Sequence, residues 1–207
     1  MSAKSGQEST RYQTAFSLAR EKLLQSDLGE RCAKAGAVYT PSEQCIVLRF
    51  VDHPCKIHLP EVTFEVLEDG SELGIAEQIL ILHYLSMASG TPPSAERITF
   101  GQIPDGSFYV PVFRKRTVDW LVGVYGEKPE GLFEAARRIG ACPADYGDVG
   151  VTIQAFPNVS VTLVLWRGDD ELAPSGSALF DATISEYLPA EDVVVLTSML
   201  VGKLCRP

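Results

Sequence analysis

Three segments of alternating apolar character follow one another with hardly a gap: QCIVLRFV (44–51), CKIHL (55–59) and VTFEVL (62–67). Asp52-His53-Pro54 and Pro60-Glu61 separate them. A period of two reads as short strands that bury one face. A parallel crossover needs a dozen or more residues, so connections this short force an antiparallel meander. The same constraint returns at VTIQAF (151–156) and SVTLVLW (160–166), joined through Pro157-Asn158. In the second strand of that hairpin Val161, Leu163 and Leu165 alternate with Thr162, Val164 and Trp166. Both of its faces are largely apolar, which predicts a central strand with a layer on each side.

Around these strands the period becomes helical. Tyr12, Phe16, Ala19 and Leu23 recur on one helical face. A short helix at Leu28–Ala35 is expected to close at Gly36, a residue that tolerates a left-handed cap. Residues 72–89 form the clearest helix, with Asp69 or Ser71 placed to cap it and Ser89-Gly90 then Pro92-Pro93 to end it. It is apolar around most of its circumference, so it should be largely buried, and His83 is its most notable polar residue. ITFGQI (98–103) and SFYVPVF (107–113) read as two further strands, with Pro111 keeping the second at an edge. Segments 117–126, 129–140 and about 189–204 read as helices. The polar residues 1–9 read as a disordered N-terminus. Residues 10–207 then form a single α+β domain, a mainly antiparallel sheet with helices packed on it.

Composition narrows the function. A net charge of -9 argues against nucleic-acid binding, which needs a basic face. FRKR (113–116) is the densest basic run, and its plain reading is a solvated turn. No apolar run reaches the roughly 20 residues needed to cross a bilayer, and no signal-peptide core precedes the first helix. The expectation is a cytoplasmic protein with no membrane segment. The five cysteines, at 32, 45, 55, 142 and 205, include no Cys-x-x-Cys pair and read as reduced thiols. Cys45 and Cys55 are placed to face each other across two strands, beside His53 and His58.

The motifs that would name an enzyme are missing. There is no glycine-rich nucleotide loop and no Gly-x-Ser-x-Gly elbow, and only three histidines are present. What stands out is the acidic stretch from Leu163 to Asp192. Asp169 and Asp170 follow a strand as a Gly-Asp turn, and Glu191 and Asp192 suit the first turn of a helix. Glu171 and Asp181 have no such explanation. With Asp148 they make a candidate metal set of three acids from three loops, of the oxygen type that suits magnesium or calcium. The same acids could instead satisfy backbone amides or pair with Arg167. His83 and Trp166 join Asp148, Glu171 and Asp181 as candidate ligand-binding residues, on the hypothesis that at least two of them line one pocket. No pattern identifies a cofactor.

Several short motifs occur here in a characteristic order: Gln78 with His83-Tyr84-Leu85, an aromatic-rich segment from Phe100 to Phe113, Gly147-Asp148, Trp166 with Gly168-Asp169 and Glu171, Leu179-Phe180-Asp181, and Leu188 to Asp192. In that order the chain resembles an uncharacterised domain family of anaerobic bacteria and archaea, some members of which are fused to a cysteine-rich iron–sulfur segment. No such segment occurs in this chain. The resemblance implies neighbours in anaerobic redox, corrinoid, methyl-transfer or tetrapyrrole metabolism, and no established activity. The resulting expectation is a non-enzymatic accessory or ligand-binding domain, with a small-molecule ligand or a redox or methyl-transfer partner protein. The alternative is a metal-dependent enzyme, for example a hydrolase, working through the carboxylate cluster.

Overall fold

The computed structural model describes residues 2–68 and 70–206, residues 2–9 by their backbone alone. The proposed Asp69 cap lies outside these residues, and so do Met1 and the side chains of residues 2–9, the segment that the sequence reads as disordered. The chain is α+β, and its strands form two antiparallel sheets. It divides into two compact units, residues 1–91 and 92–207, each with its own sheet.

In the first unit α1 (Ser2–Leu24) is followed by α2 (Leu28–Ala35). Asp27 starts α2 by accepting the Glu30 N–H at 3.0 Å, and Gly36 ends it at φ 65°, as its position in the sequence predicts. The expected meander follows. The strands β1 (Val38–Thr40), β2 (Cys45–Phe50), β3 (His53–His58) and β4 (Thr63–Val66) pair in sequence order. Cys55 and Ile57 point inward from β3 while His58 stays outside, 3.0 Å from Glu65. Cys45 and Cys55 are not opposite each other. The register pairs Cys45 with His58 and Cys55 with Leu48.

The helix α3 (Ile75–Met87) closes the unit and packs on α1. Its cap is Gly74 rather than Ser71, with the Glu77 carboxylate accepting the Gly74 N–H at 2.8 Å. The expected burial holds for Ile79 through Leu82, Tyr84 and Leu85. His83 is only half-buried. The fully buried polar group of α3 is its neighbour Tyr84, which donates from Oη to the Ala35 carbonyl at 2.7 Å.

The second unit opens with β5 (Arg97–Thr99) and continues through α4 (Val110–Arg116), α5 (Val118–Tyr125) and α6 (Gly131–Arg137). Then come β6 (Cys142–Ala144), β7 (Val149–Phe156), β8 (Val159–Trp166), β9 (Ser175–Asp181) and α7 (Ala190–Cys205). The strand order is β5-β9-β8-β7-β6, which makes β8 central as expected. Val161, Leu163 and Leu165 on one face and Thr162 and Val164 on the other are all fully buried.

The strands expected at 98–103 and 107–113 are a correction. Only Arg97–Thr99 is strand. Phe100–Gln102 turns at once into a 3-10 helix, whose Gln102 side chain accepts the Thr99 N–H at 2.8 Å. SFYVPVF becomes a second 3-10 turn and the start of α4. Proline lacks the N–H that a strand needs, and its fixed φ suits a first helical turn, where Pro111 sits. Phe113 stacks on Phe100 at 4.1 Å between ring centroids and meets Phe180 edge-on at 6.1 Å. The basic run that follows is exposed.

Among the described residues no helix is long and apolar enough to cross a membrane. All five cysteines are unbridged, with Cys32, Cys45 and Cys55 buried and Cys142 exposed. Burial pushes the Cys32 and Cys205 thiols up to about 11. Since the thiolate is the reactive form, a thiol reagent at neutral pH should modify Cys142 quickly in the folded protein and all five cysteines after denaturation without reductant. A denatured count of three would mean that one pair is bridged.

Candidate functional site

The end of β8 is where the second unit exposes chemistry. Every residue of this strand from Val161 to Leu165 is fully buried, yet Trp166 is 41 % exposed. Two connections gather there because the register brings them to the same end of the sheet. Ala144 at the end of β6 pairs with Gly150, and Trp166 pairs with Ser175 at the start of β9. The turn at residues 145–148 and the loop at residues 167–174 are therefore neighbours. Asp148 connects them, since its N–H donates to the Leu165 carbonyl at 3.0 Å and its Oδ2 accepts the Arg167 N–H at 2.8 Å.

Gly147 makes this approach possible. Its φ is 62°, and a Cβ there would lie 2.5 Å from Val164 Cγ1 and 2.8 Å from the Leu165 carbonyl oxygen. The same Cβ position is 3.3 Å from the indole Cε2 of Trp166, so the turn backbone lies against the ring. Only glycine combines that φ with that space. Tyr146, next in the turn, is 40 % exposed.

The loop after Trp166 is held by its own polar groups. The Asp169 carboxylate accepts the Glu171 N–H at 2.9 Å and the Leu172 N–H at 2.7 Å, and these bonds hold its carboxyl below the usual range. The Arg167 guanidinium pairs with Glu130, which lies just before α6, and lowers the pKa of that carboxyl. A cleft of about 390 Å³ lies between Gly126-Glu127 on one side and residues 167–170 and 172–174 on the other, and Glu171 is not part of its lining. Leu172 stands at the loop surface, 69 % exposed.

Asp148, Trp166 and Glu171 thus belong to one end of the sheet, but Asp181 does not. The strand β9 begins opposite Trp166 and ends at Asp181, paired with Arg97. At about 3.3 Å per residue, Asp181 stands roughly 20 Å from Ser175. The expected meeting of Asp148, Glu171 and Asp181 at one rim is corrected by this antiparallel register.

Asp181 is also fully occupied. It is 4 % exposed. Its oxygens accept from Ser94 N and Oγ (both 3.0 Å), Ala95 N (2.9 Å), Thr183 N (3.1 Å) and Thr183 Oγ1 (2.9 Å). Among the described residues no three His, Cys, Asp or Glu side chains are grouped to hold a metal ion. His83 belongs to the first unit, on α3.

Residues 27–203 match the family model described as a domain of unknown function, DUF3786. The chain belongs to the DUF3786 family. No curated protein and no solved structure matches it. The DUF3786 match runs from the cap of α2 into α7 and so includes the Trp166 end of the sheet and the Asp181 clamp. Tyr146, Glu130 and Leu172 were not among the residues expected at the site. The signal for Tyr146 was present in YGDVG, an aromatic residue followed by glycine at a turn. Glu130 carried no signal, because its partner Arg167 is far away in sequence.

Proposed function

We propose that this DUF3786 chain is a ligand-binding accessory domain without catalysis of its own, working beside anaerobic redox, corrinoid or tetrapyrrole enzymes. The observation that carries this reading is Trp166, a large ring left 41 % exposed at the end of a strand whose five preceding residues are fully buried. The ring is pre-positioned by the β8–β9 ladder and by the backbone of the 145–148 turn. A fixed indole with a free face offers stacking area to a flat molecule at little cost in conformational entropy. The acids around it support binding over acid–base work. Asp148 and Asp169 are committed to backbone N–H groups. The order of motifs in the sequence adds the anaerobic setting only as an association implied by resemblance.

Titration with hydroxocobalamin and, separately, with hemin tests this reading. Tryptophan fluorescence should quench to saturation with one of them. Trp166→Ala should weaken that binding by about tenfold, the equivalent of 1.4 kcal/mol and within the range of a single stacking contact. Equal affinity in wild type and variant, or no saturable binding of either compound, would remove the planar-ligand reading.

A further inference from the structure

The densest basic run of the chain, FRKR (113–116), lies in the second unit and takes no part in the site described above. It belongs to one continuous helical segment, the 3-10 turn Gly106–Tyr109 followed by α4. Phe113 faces inward, buried against Phe100 and Phe180. Phe108, Pro111, Val112, Lys115 and Arg116 recur at intervals of three and four, so they share another side of the segment. All five are exposed, Phe108 by 82 %. A single exposed apolar residue needs no explanation, but Phe108, Tyr109 and Val112 form a group edged by cations.

The acids beside this patch leave its cations free. Asp119 pairs with Arg114 at 3.3 Å, and Glu191 accepts the hydrogen bond of the Tyr109 hydroxyl. Asp105, next to the 3-10 turn, stands at the other end of the segment from Lys115 and Arg116. Among the described residues neither Lys115 nor Arg116 makes an ion pair.

The complement of the patch is in the same chain, at the loop after β8. Asp170 and Glu171 are exposed there, and among the described residues their carboxylates make no ion pair. Leu172 beside them is exposed too. The loop is preset: the Asp169 carboxylate accepts the Glu171 and Leu172 N–H groups, and the Asp169 N–H donates to the Leu172 carbonyl at 2.8 Å. The two surfaces lie at opposite ends of the sheet. Phe113 meets Phe180, whereas the loop leads into Ser175, which is about 17 Å away at 3.3 Å per residue.

We propose that α4 of one copy docks on the 169–172 loop of a second copy. Leu172 packs against Phe108 and Val112, and Asp170 and Glu171 face Lys115 and Arg116. Aromatic and arginine side chains are the residues enriched at such contacts. The contact is head-to-tail, because each copy offers two different surfaces at opposite ends, so it can extend beyond two copies. Two patches of this size make a weak, reversible contact. It uses neither the Trp166 ring nor anything that ring binds.

Sedimentation velocity of the full chain, from micromolar to millimolar concentration, is the test. At low salt the sedimentation coefficient should rise with concentration, and high salt should reduce the rise, since exposed charge pairs are screened. Phe108→Asp and Leu172→Asp should each remain monomeric, with melting temperatures unchanged because both side chains are exposed. An equimolar mixture of the two variants should form a one-to-one dimer that does not grow, since each keeps one intact surface. Association that survives in either variant would overturn the proposal, as would a mixture that stays monomeric. A monomeric wild type would also overturn it, and flotation with phosphatidylglycerol vesicles that is lost in Phe108→Asp would assign the patch to a lipid surface instead.

Discussion

Replacing Leu163 by alanine should destabilise the second unit by roughly 2–5 kcal/mol, the range for a buried leucine truncated in a packed core. Leu163 is fully buried in β8, between Val151 of β7 and Ala178 of β9. The cost sits at the upper end of that range where neighbours cannot collapse into the void. Here the neighbours belong to a ladder whose hydrogen bonds fix their positions. Domains are stable by only about 5–15 kcal/mol, so the loss is a large fraction of the total. Leu172→Ala is the control, since Leu172 is 69 % exposed and its truncation should stay within about 0.5 kcal/mol. Urea unfolding of both variants decides the matter. A cost below about 1 kcal/mol for Leu163→Ala would mean that β8 is not the packed centre of its sheet.

The centrality of β8 was legible because it is a local property. Two apolar faces within one short run require a layer on each side, whatever the rest of the chain does. The meander was legible because its connections are too short for anything else. SFYVPVF misled because alternation over so few residues fits either period. What decided its state was Pro111, together with an aromatic contact between Phe100 and Phe113 that no periodicity reports. The candidate site was half legible. Asp148 and Trp166 meet because β7 follows β6 by a tight turn and β8 lies beside β7, relations that hairpin rules supply. The misplacement of Asp181 has one cause. The sequence does not say which end of its strand lies beside Trp166, and the antiparallel β9 begins there and carries Asp181 to the far end.

Asp181 carries the second large effect, and it should show in the acid limb of stability. Burial by itself would raise the Asp181 carboxyl. The N–H groups of Ser94 and Thr183 and the hydroxyls of both outweigh that and hold the pKa at about 2, against 3.8 for the free side chain. A carboxyl lowered on folding stabilises the folded state where it is ionised in both states. Its contribution is therefore complete above about pH 4 and is lost as the pH falls toward 2. The shift corresponds to about 2 kcal/mol. Asp181→Asn keeps one acceptor oxygen but turns an amide donor toward one of the N–H groups, so it should cost about that much at pH 6. Asp181→Ala removes every acceptor and leaves the N–H groups of Ser94, Ala95 and Thr183 to find other partners. It should cost roughly 3–5 kcal/mol, given about 1–3 kcal/mol for each buried donor left unsatisfied and partial relief by water. Unfolding free energies of wild type and Asp181→Asn between pH 6 and pH 2 test the assignment. The exposed acids titrate alike in both proteins and cancel in the difference, so the gap should narrow steadily below pH 4. A gap that stays constant to pH 2 would show that the ionised carboxylate is not what ties residues 94–95 to the end of β9.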